Sequence, residues 1–182
     1  MSACALQKPW ESALEPSKTF DADTTGNGSE NEIRIRVWGI PAPQGSKAVR
    51  GYVNGRAILG ESSKAVTPWR QDVRAACQLS YKGPVIDAPV SVCATFLFAR
   101  PKGHWGSGRN ADRLKPSAPR HLTSVRHGDL DKLLRSTFDG LSQSAGGGLI
   151  TDDSLIVEVM ANKRYVEDGE LPGAYLTVTK LA

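Results

Sequence analysis

The stretch Gly128–Met160, GDLDKLLRSTFDGLSQSAGGGLITDDSLIVEVM, contains two kinds of secondary structure and decides the fold class. Its first half repeats apolar residues at helical spacing, namely Leu130, Leu133, Leu134, Phe138 and Leu141. This spacing predicts a helix over 130–143, which the run Ala145–Gly148 terminates. The second half ends in Leu155–Met160, a run of β-forming residues that predicts a strand.

Further strands are predicted on both sides of this stretch. Ile33–Trp38 alternates apolar and polar residues, Val90–Ala99 is a longer apolar run, and Ala174–Thr179 is the last strand. Asn54-Gly55 predicts the turn of a hairpin over 52–59, because both residues tolerate positive φ.

A first helix is predicted over 68–80, with Thr67 as its N-cap and Pro68 at its first position. Gly83-Pro84 ends it. The order strand, hairpin, helix, strand, helix, strand, strand is not a regular βαβ alternation. We therefore expect an α+β fold, a single domain with one mixed or antiparallel sheet and two main helices packed on it.

The domain is predicted to occupy residues 32–182, after a mobile N-terminal tail over 1–31. Within it, residues 100–128 show no periodicity and predict a long loop. The basic residues of this loop are Arg100, Lys102, Arg109, Arg113, Lys115, Arg120 and Arg126, against a single acidic residue, Asp112. Such one-sided charge favours a polyanionic partner.

Composition narrows the classes of function. The 182 residues carry 23 Lys and Arg against 19 acidic residues, a net charge of +4 that permits nucleic acid binding without requiring it. Three widely spaced cysteines argue against a disulfide framework and a structural zinc site. Because no bilayer-spanning stretch and no secretion signal are visible, a cytoplasmic location is expected.

Acidic residues at the predicted helix start carry the candidate chemistry. Asp129 and Asp131 can converge on one point, because the cap residue leaves the helix in a non-helical direction. Asp153 is expected to begin the next strand and to share the face of Leu155, Val157 and Val159. If that face is buried in the core, Asp153 points toward the helices.

Converging carboxylates repel one another, and a hard divalent cation such as Mg²⁺ or Mn²⁺ removes that penalty. Arg135, one turn beyond Asp131, is placed to pair with it or to contact a phosphate. Taken singly, these residues have simpler explanations. Asp129 is then an N-cap, Asp131 a residue favourable to the helix dipole, Asp152-Asp153 a turn, and Arg135 a solvated helix residue.

Taken together, the residues resemble the RusA family of Holliday junction resolvases. That family shows a D-L-D-N-L-x-K helix start, a D-x-L continuation and a D-D-x-x-[IV] strand start. The matching segments here are Asp129–Arg135, Phe138–Leu141 and Asp152–Ser154. The resemblance implies a Mg²⁺-dependent, structure-specific endodeoxyribonuclease of recombination and repair that acts on branched DNA as a homodimer. It also implies a phage or prophage source, since many members are carried by phages.

The resemblance also assigns roles to residues. Asp129, Asp131 and Asp153 correspond to the metal ligands, and Asp152 to a less critical aspartate. Arg135 stands where the family has its catalytic lysine, and Lys132 replaces the usual asparagine. Since arginine is a poor proton donor, either Arg135 acts only through its charge, Lys132 takes over, or turnover is weak.

Ten further basic residues are expected to bind the DNA backbone. This predicted set is Lys47, Arg50, Arg56, Lys64, Lys102, Arg109, Arg113, Lys115, Arg120 and Arg126. Two alternatives remain at this point. One is a catalytically weak or inactive branched-DNA-binding module of the same fold, which the Arg135 substitution favours. The other is a Mg²⁺-dependent phosphohydrolase of small nucleotides, for which the basic loop would have no purpose.

Overall fold

The computed structural model describes residues 31–45, 47–61, 63–143 and 147–181, without the side chains of 47–50 and 57–61. All but the last residue of the predicted tail, 1–31, lies outside the described residues. The described strands and helices, in chain order, are β1 (Glu32–Trp38), β2 (Lys47–Val53), β3 (Arg56–Glu61), α1 (Val66–Ser80), β4 (Val90–Phe98), α2 (Leu130–Leu141), β5 (Ile156–Tyr165) and β6 (Gly173–Lys180). Neither helix has the length and apolar character that crossing a membrane requires.

Four strands form a mixed sheet in the order β1-β6-β4-β5. β6 runs antiparallel to both of its neighbours, whereas β4 and β5 are parallel. Parallel neighbours need a crossover connection, and here the long loop and α2 provide it. β2 and β3 form a separate hairpin whose turn residues Asn54 and Gly55 have φ of 49° and 73°, as predicted. The predicted α+β class is confirmed.

The core lies between one face of this sheet and the two helices. Alternate residues of the strands are buried on that face, namely Ile33, Ile35 and Val37 of β1, Val92, Ala94 and Phe96 of β4, and Ala174, Leu176 and Val178 of β6. α1 packs against β1, α2 packs against β5, and the two helices contact each other. Burial of this apolar surface supplies the main stabilisation of the fold.

Polar groups fix α2 against α1. Trp69 Nε1 donates a hydrogen bond of 3.1 Å to Thr137 Oγ1, and Arg70 forms an ion pair with Asp139. Gly140 is buried beside Val73, where a larger side chain would meet the Val73 side chain. The helix that carries Asp129 and Asp131 is therefore held rigidly on the sheet.

The predicted starts of α1 and β5 are wrong. α1 begins at Val66 with Ala65 at the cap position, so Thr67 lies inside the first turn instead of capping it. Asp153 does not begin a strand, because Asp153–Leu155 forms a 3₁₀ turn and β5 starts at Ile156. The strand periodicity from which we expected the direction of the Asp153 side chain therefore does not extend to it.

The condition that Val157 and Val159 are buried in the core is not met, since they are 59% and 46% exposed. Val159 is in register with the buried Val92 and points to the same face of the sheet. β5 is the edge strand, and only Ala161 and Tyr165 of its later part reach the core. The first part of β5 is therefore less covered by the helices than the central strands are.

The predicted loop over 100–128 is folded by its own hydrogen bonds. Three 3₁₀ turns lie in it, at Lys102–His104, Gly108–Asn110 and Val125–His127. Gly106 N donates to Arg113 O and Lys115 N to His104 O, each at 2.9 Å, around a bridge between Trp105 and Leu114. We call residues 105–114, which these bonds close, the basic arm.

Candidate active site

The start of α2 presents Asp129 as an exposed carboxylate. Asp129 occupies the N-cap position, yet its side chain makes no capping hydrogen bond. Its Oδ2 instead accepts a hydrogen bond of 2.7 Å from Lys132 Nζ. This bond and the charge of Lys132 lower the pKa of Asp129, and the same contact raises the pKa of Lys132. Both groups are therefore charged at neutral pH.

Asp131 lies in the first turn of α2 and is exposed. Among the described residues its carboxylate accepts no hydrogen bond and forms no ion pair. Arg135 is also exposed, and it does not pair with Asp131. The acidic and basic groups of this helix face thus remain accessible to a ligand.

Asp153 lies in the turn before β5, and α2 packs directly against this turn. Its carboxylate is exposed and has no hydrogen-bonding partner in the described part of the chain. Asp152 has a structural use, because its Oδ1 accepts a hydrogen bond of 3.0 Å from Ser154 N. The Ser154 side chain first, and then this backbone bond, lower the pKa of Asp152. The fold therefore brings the two elements that carry the acidic residues into contact.

The three carboxylates do not form a ready-made metal cage. Over the ranges that the structure describes, no group of three His, Cys, Asp or Glu residues is placed to hold a metal ion. The donor chemistry nevertheless suits a hard divalent cation, because Asp131 and Asp153 present exposed carboxylate oxygens that have no hydrogen-bonding or ion-pair partner among the described residues. A cation, the Lys132 ammonium, already lies against Asp129.

Lys163 was missed by the sequence reasoning, because the strand was predicted to end at Met160. It lies on β5, and its Nζ donates a hydrogen bond of 2.5 Å to the carbonyl oxygen of Gly128, directly before Asp129. Its charge also contributes, after Lys132, to the low pKa of Asp129. Extending the predicted strand beyond Met160 would have placed Lys163 on the same face as Ala161 and Tyr165, and a lysine on that face was the signal that could have identified it.

A group of rings supports the chain just before Asp129. The His127 ring packs edge-on against Phe98 at 4.9 Å and lies 6.4 Å from the ring of Tyr165. Tyr165 also contacts His104 at 5.6 Å and the Arg100 guanidinium at 4.2 Å. Burial first, and then the neighbouring cations Lys163 and Arg126, lower the pKa of His127. At neutral pH His127 is thus a neutral packing residue.

Most of the predicted DNA-binding residues are exposed. Those with exposed side chains are Arg56, Lys64, Lys102, Arg109, Arg113, Lys115, Arg120 and Arg126. Lys115 also has an internal role, since its Nζ donates to Gly103 O at 2.9 Å. Lys47 and Arg50 lie on β2, and their side chains are outside the described part of the structure.

Comparison with known families identifies the chain. The family described as Endodeoxyribonuclease RusA matches residues 39–179, well over half of the 182 residues. The chain belongs to the RusA family. No curated protein matches it. This RusA protein is a Holliday junction resolving endodeoxyribonuclease, a phosphodiester hydrolase whose substrate is branched DNA. The predicted family, activity and substrate class are confirmed, and this family membership argues against the alternative of a phosphohydrolase that acts on small nucleotides.

Proposed function

We propose that this RusA nuclease cuts branched DNA with Mg²⁺, or Mn²⁺ in its place, held by Asp129, Asp131 and Asp153. The observation that carries the proposal is the contact between α2 and the turn before β5. Two exposed carboxylates lie at the start of the helix and the third lies in the turn. A cation between them would offset the repulsion that arises when three ionised carboxylates converge.

When bound, the cation would supply the charge that makes water a better nucleophile and stabilises the phosphoryl oxygens. Lys132 Nζ contacts only Oδ2 of Asp129, so Oδ1 could bind the metal. If the metal displaced Lys132 from Oδ2, the Lys132 ammonium would be free to bind a phosphate oxygen. Arg135 is exposed on α2 one turn beyond Asp131. Because its guanidinium stays protonated, Arg135 would stabilise developing negative charge without transferring a proton.

The exposed cations of the basic loop would bind the DNA backbone, and Arg56 and Lys64 would extend that surface toward the hairpin. We include Lys47 and Arg50 among the proposed phosphate-binding residues because they lie on β2 of the same hairpin. Contacts to phosphates carry no sequence information, so the shape of the junction would select the substrate. Binding of this kind weakens steeply with salt.

We further infer a homodimer, because a four-way junction has approximate two-fold symmetry and needs two symmetric incisions. The edge strand β5 supports a second copy as the partner. Its residues Val157, Val159 and Met160 are 59%, 46% and 47% exposed, although all three are apolar. An exposed apolar edge strand presents unpaired backbone groups with which a strand of another chain can pair.

The test is a nicking assay on a synthetic four-way junction. We expect Mg²⁺-dependent cutting by the wild type and a loss on the order of 100-fold in Asp131→Asn, as expected when transition-state charge stabilisation is lost. Junction binding in the presence of a chelator should be retained by this variant. Asp87→Asn, at an exposed aspartate before β4, is the control and should cut normally. Unchanged cutting by Asp131→Asn, or no Mg²⁺-dependent cutting by the wild type, would refute the proposal.

A further inference from the structure

Lys163 occupies a position on β5 that normally holds an apolar residue. Ala161, Lys163 and Tyr165 alternate along the strand and share one face, and the first and last of them contact the core. Lys163 is in register with the fully buried Phe96 of β4. A partly buried lysine costs free energy unless its ammonium finds a partner.

The partner is the backbone immediately before the acidic helix. Lys163 Nζ donates to Gly128 O at 2.5 Å, and Gly128 has a φ of 77° that turns the chain into Asp129. Tyr165, two residues further along the same face of β5, contacts the ring of His127. Two side chains of one strand therefore hold the two residues that precede Asp129.

We propose that Lys163 is a positioning residue of the nuclease site, which holds the Gly128 carbonyl and so fixes the direction in which Asp129 leaves α2. This inference rests on the proposed role of Asp129 as a ligand. β5 also follows directly after the turn that contains Asp153. The bond from Lys163 therefore ties the start of α2 to the strand that follows the turn carrying the third carboxylate.

The position of Lys163 distinguishes it from the other cations near the site. Lys132 and Arg135 are exposed on the helix surface, where DNA can reach them. Lys163 is only partly exposed, and its ammonium is engaged by a backbone carbonyl. A positioning role predicts lower turnover when Lys163 is replaced, whereas a phosphate contact predicts weaker DNA binding.

The first experiment measures structure without metal or DNA. Amide hydrogen exchange over 128–135 is compared in the wild type, Lys163→Met and Lys163→Arg. The control is Lys82→Met, since Lys82 Nζ also donates to a backbone carbonyl, Gln78 O, at 2.5 Å but lies at the end of α1. We expect faster exchange at the start of α2 in Lys163→Met alone, because local stability there is lost. Unchanged exchange would overturn the proposal.

The second experiment measures junction cleavage by the same proteins. We expect kcat to fall about tenfold or more in Lys163→Met with KM unchanged, and Lys163→Arg to recover most of the loss. A rise in KM at constant kcat would overturn the proposal in favour of a DNA contact. If Lys163→Met does not fold, Lys163→Gln replaces it in both experiments, with the same expected results. A wild type that fails to cut would refute the proposed function, while the exchange result would still decide the role of Lys163.

Discussion

Gly128 sets the direction of the chain just before the acidic helix. Its φ is 77°, and a Cβ at this position would overlap Cβ and Cγ of Pro43. We expect Gly128→Ala to lower the free energy of unfolding by about 1–3 kcal/mol from backbone strain, with a further loss from the overlap. It should also reduce cleavage, because Asp129 is displaced.

Urea unfolding measures this loss, and Gly169→Ala is the matched control. Gly169 has a similar φ of 83° but no atom within 4 Å of an added Cβ, so its substitution reports strain alone. Equal losses of unfolding free energy in the two variants would show that Pro43 moves away from the added Cβ without a loss of stability.

Glu170 provides a pH dependence that is separate from the active site. Its carboxylate accepts hydrogen bonds from Arg164 at 2.6 and 2.8 Å, and these hold the pKa of Glu170 below its ordinary value of 4.5 against the opposing effect of burial. A carboxyl with a lowered folded-state pKa stabilises the protein fully above pH 4.5. That stabilisation is lost as the pH falls through the folded-state pKa.

The thermal unfolding midpoint of the wild type should therefore fall more steeply than that of Glu170→Gln between about pH 6 and pH 3. Glu158→Gln, at an exposed glutamate of β5, should follow the wild type. If the unfolding midpoints of the wild type and Glu170→Gln fell in parallel with pH, the bond between Arg164 and Glu170 would make no pH-dependent contribution to stability.

At the scale of elements, the cations on and beside the basic arm are of two kinds: some are accessible to DNA, and others make contacts within the protein. Arg109 and Arg113 are exposed on the arm, whereas Lys115 at its end bonds to Gly103 O. We expect Arg109→Ala and Arg113→Ala each to reduce the slope of log binding constant against log salt by about 0.9, one phosphate contact each. Binding to a synthetic junction over a salt series gives the slopes. Lys82→Ala, at the end of α1, should leave the slope unchanged.

For the whole molecule, the exposed edge of β5 leads to a prediction about assembly. If the proposed homodimer forms through this edge, Val159→Lys, which places a charge on the apolar surface, should shift the protein from dimer to monomer in sedimentation experiments, because charges protect strand edges from pairing. Paired incision of a junction should then become independent single nicking. Val53→Lys, at a valine that is 56% exposed on the separate hairpin, is the control and should remain dimeric. A dimer that survives Val159→Lys would place the interface elsewhere.

Local patterns in the sequence determined most elements of this protein. The hairpin turn at Asn54-Gly55, the apolar stripe of α2 and the alternation of β1 depend on residues close together in the chain, and the structure contains all three. The family could also be predicted, because the acidic motif is a matter of residue types and spacing. The three-carboxylate metal site stays a prediction. Tertiary structure alone decided the exposure of Val159 and the bond from Lys163 to Gly128. These features depend on strand order, on the register of β5 with β4 and on how far α2 covers the sheet edge, and each arises from contacts between residues far apart in sequence.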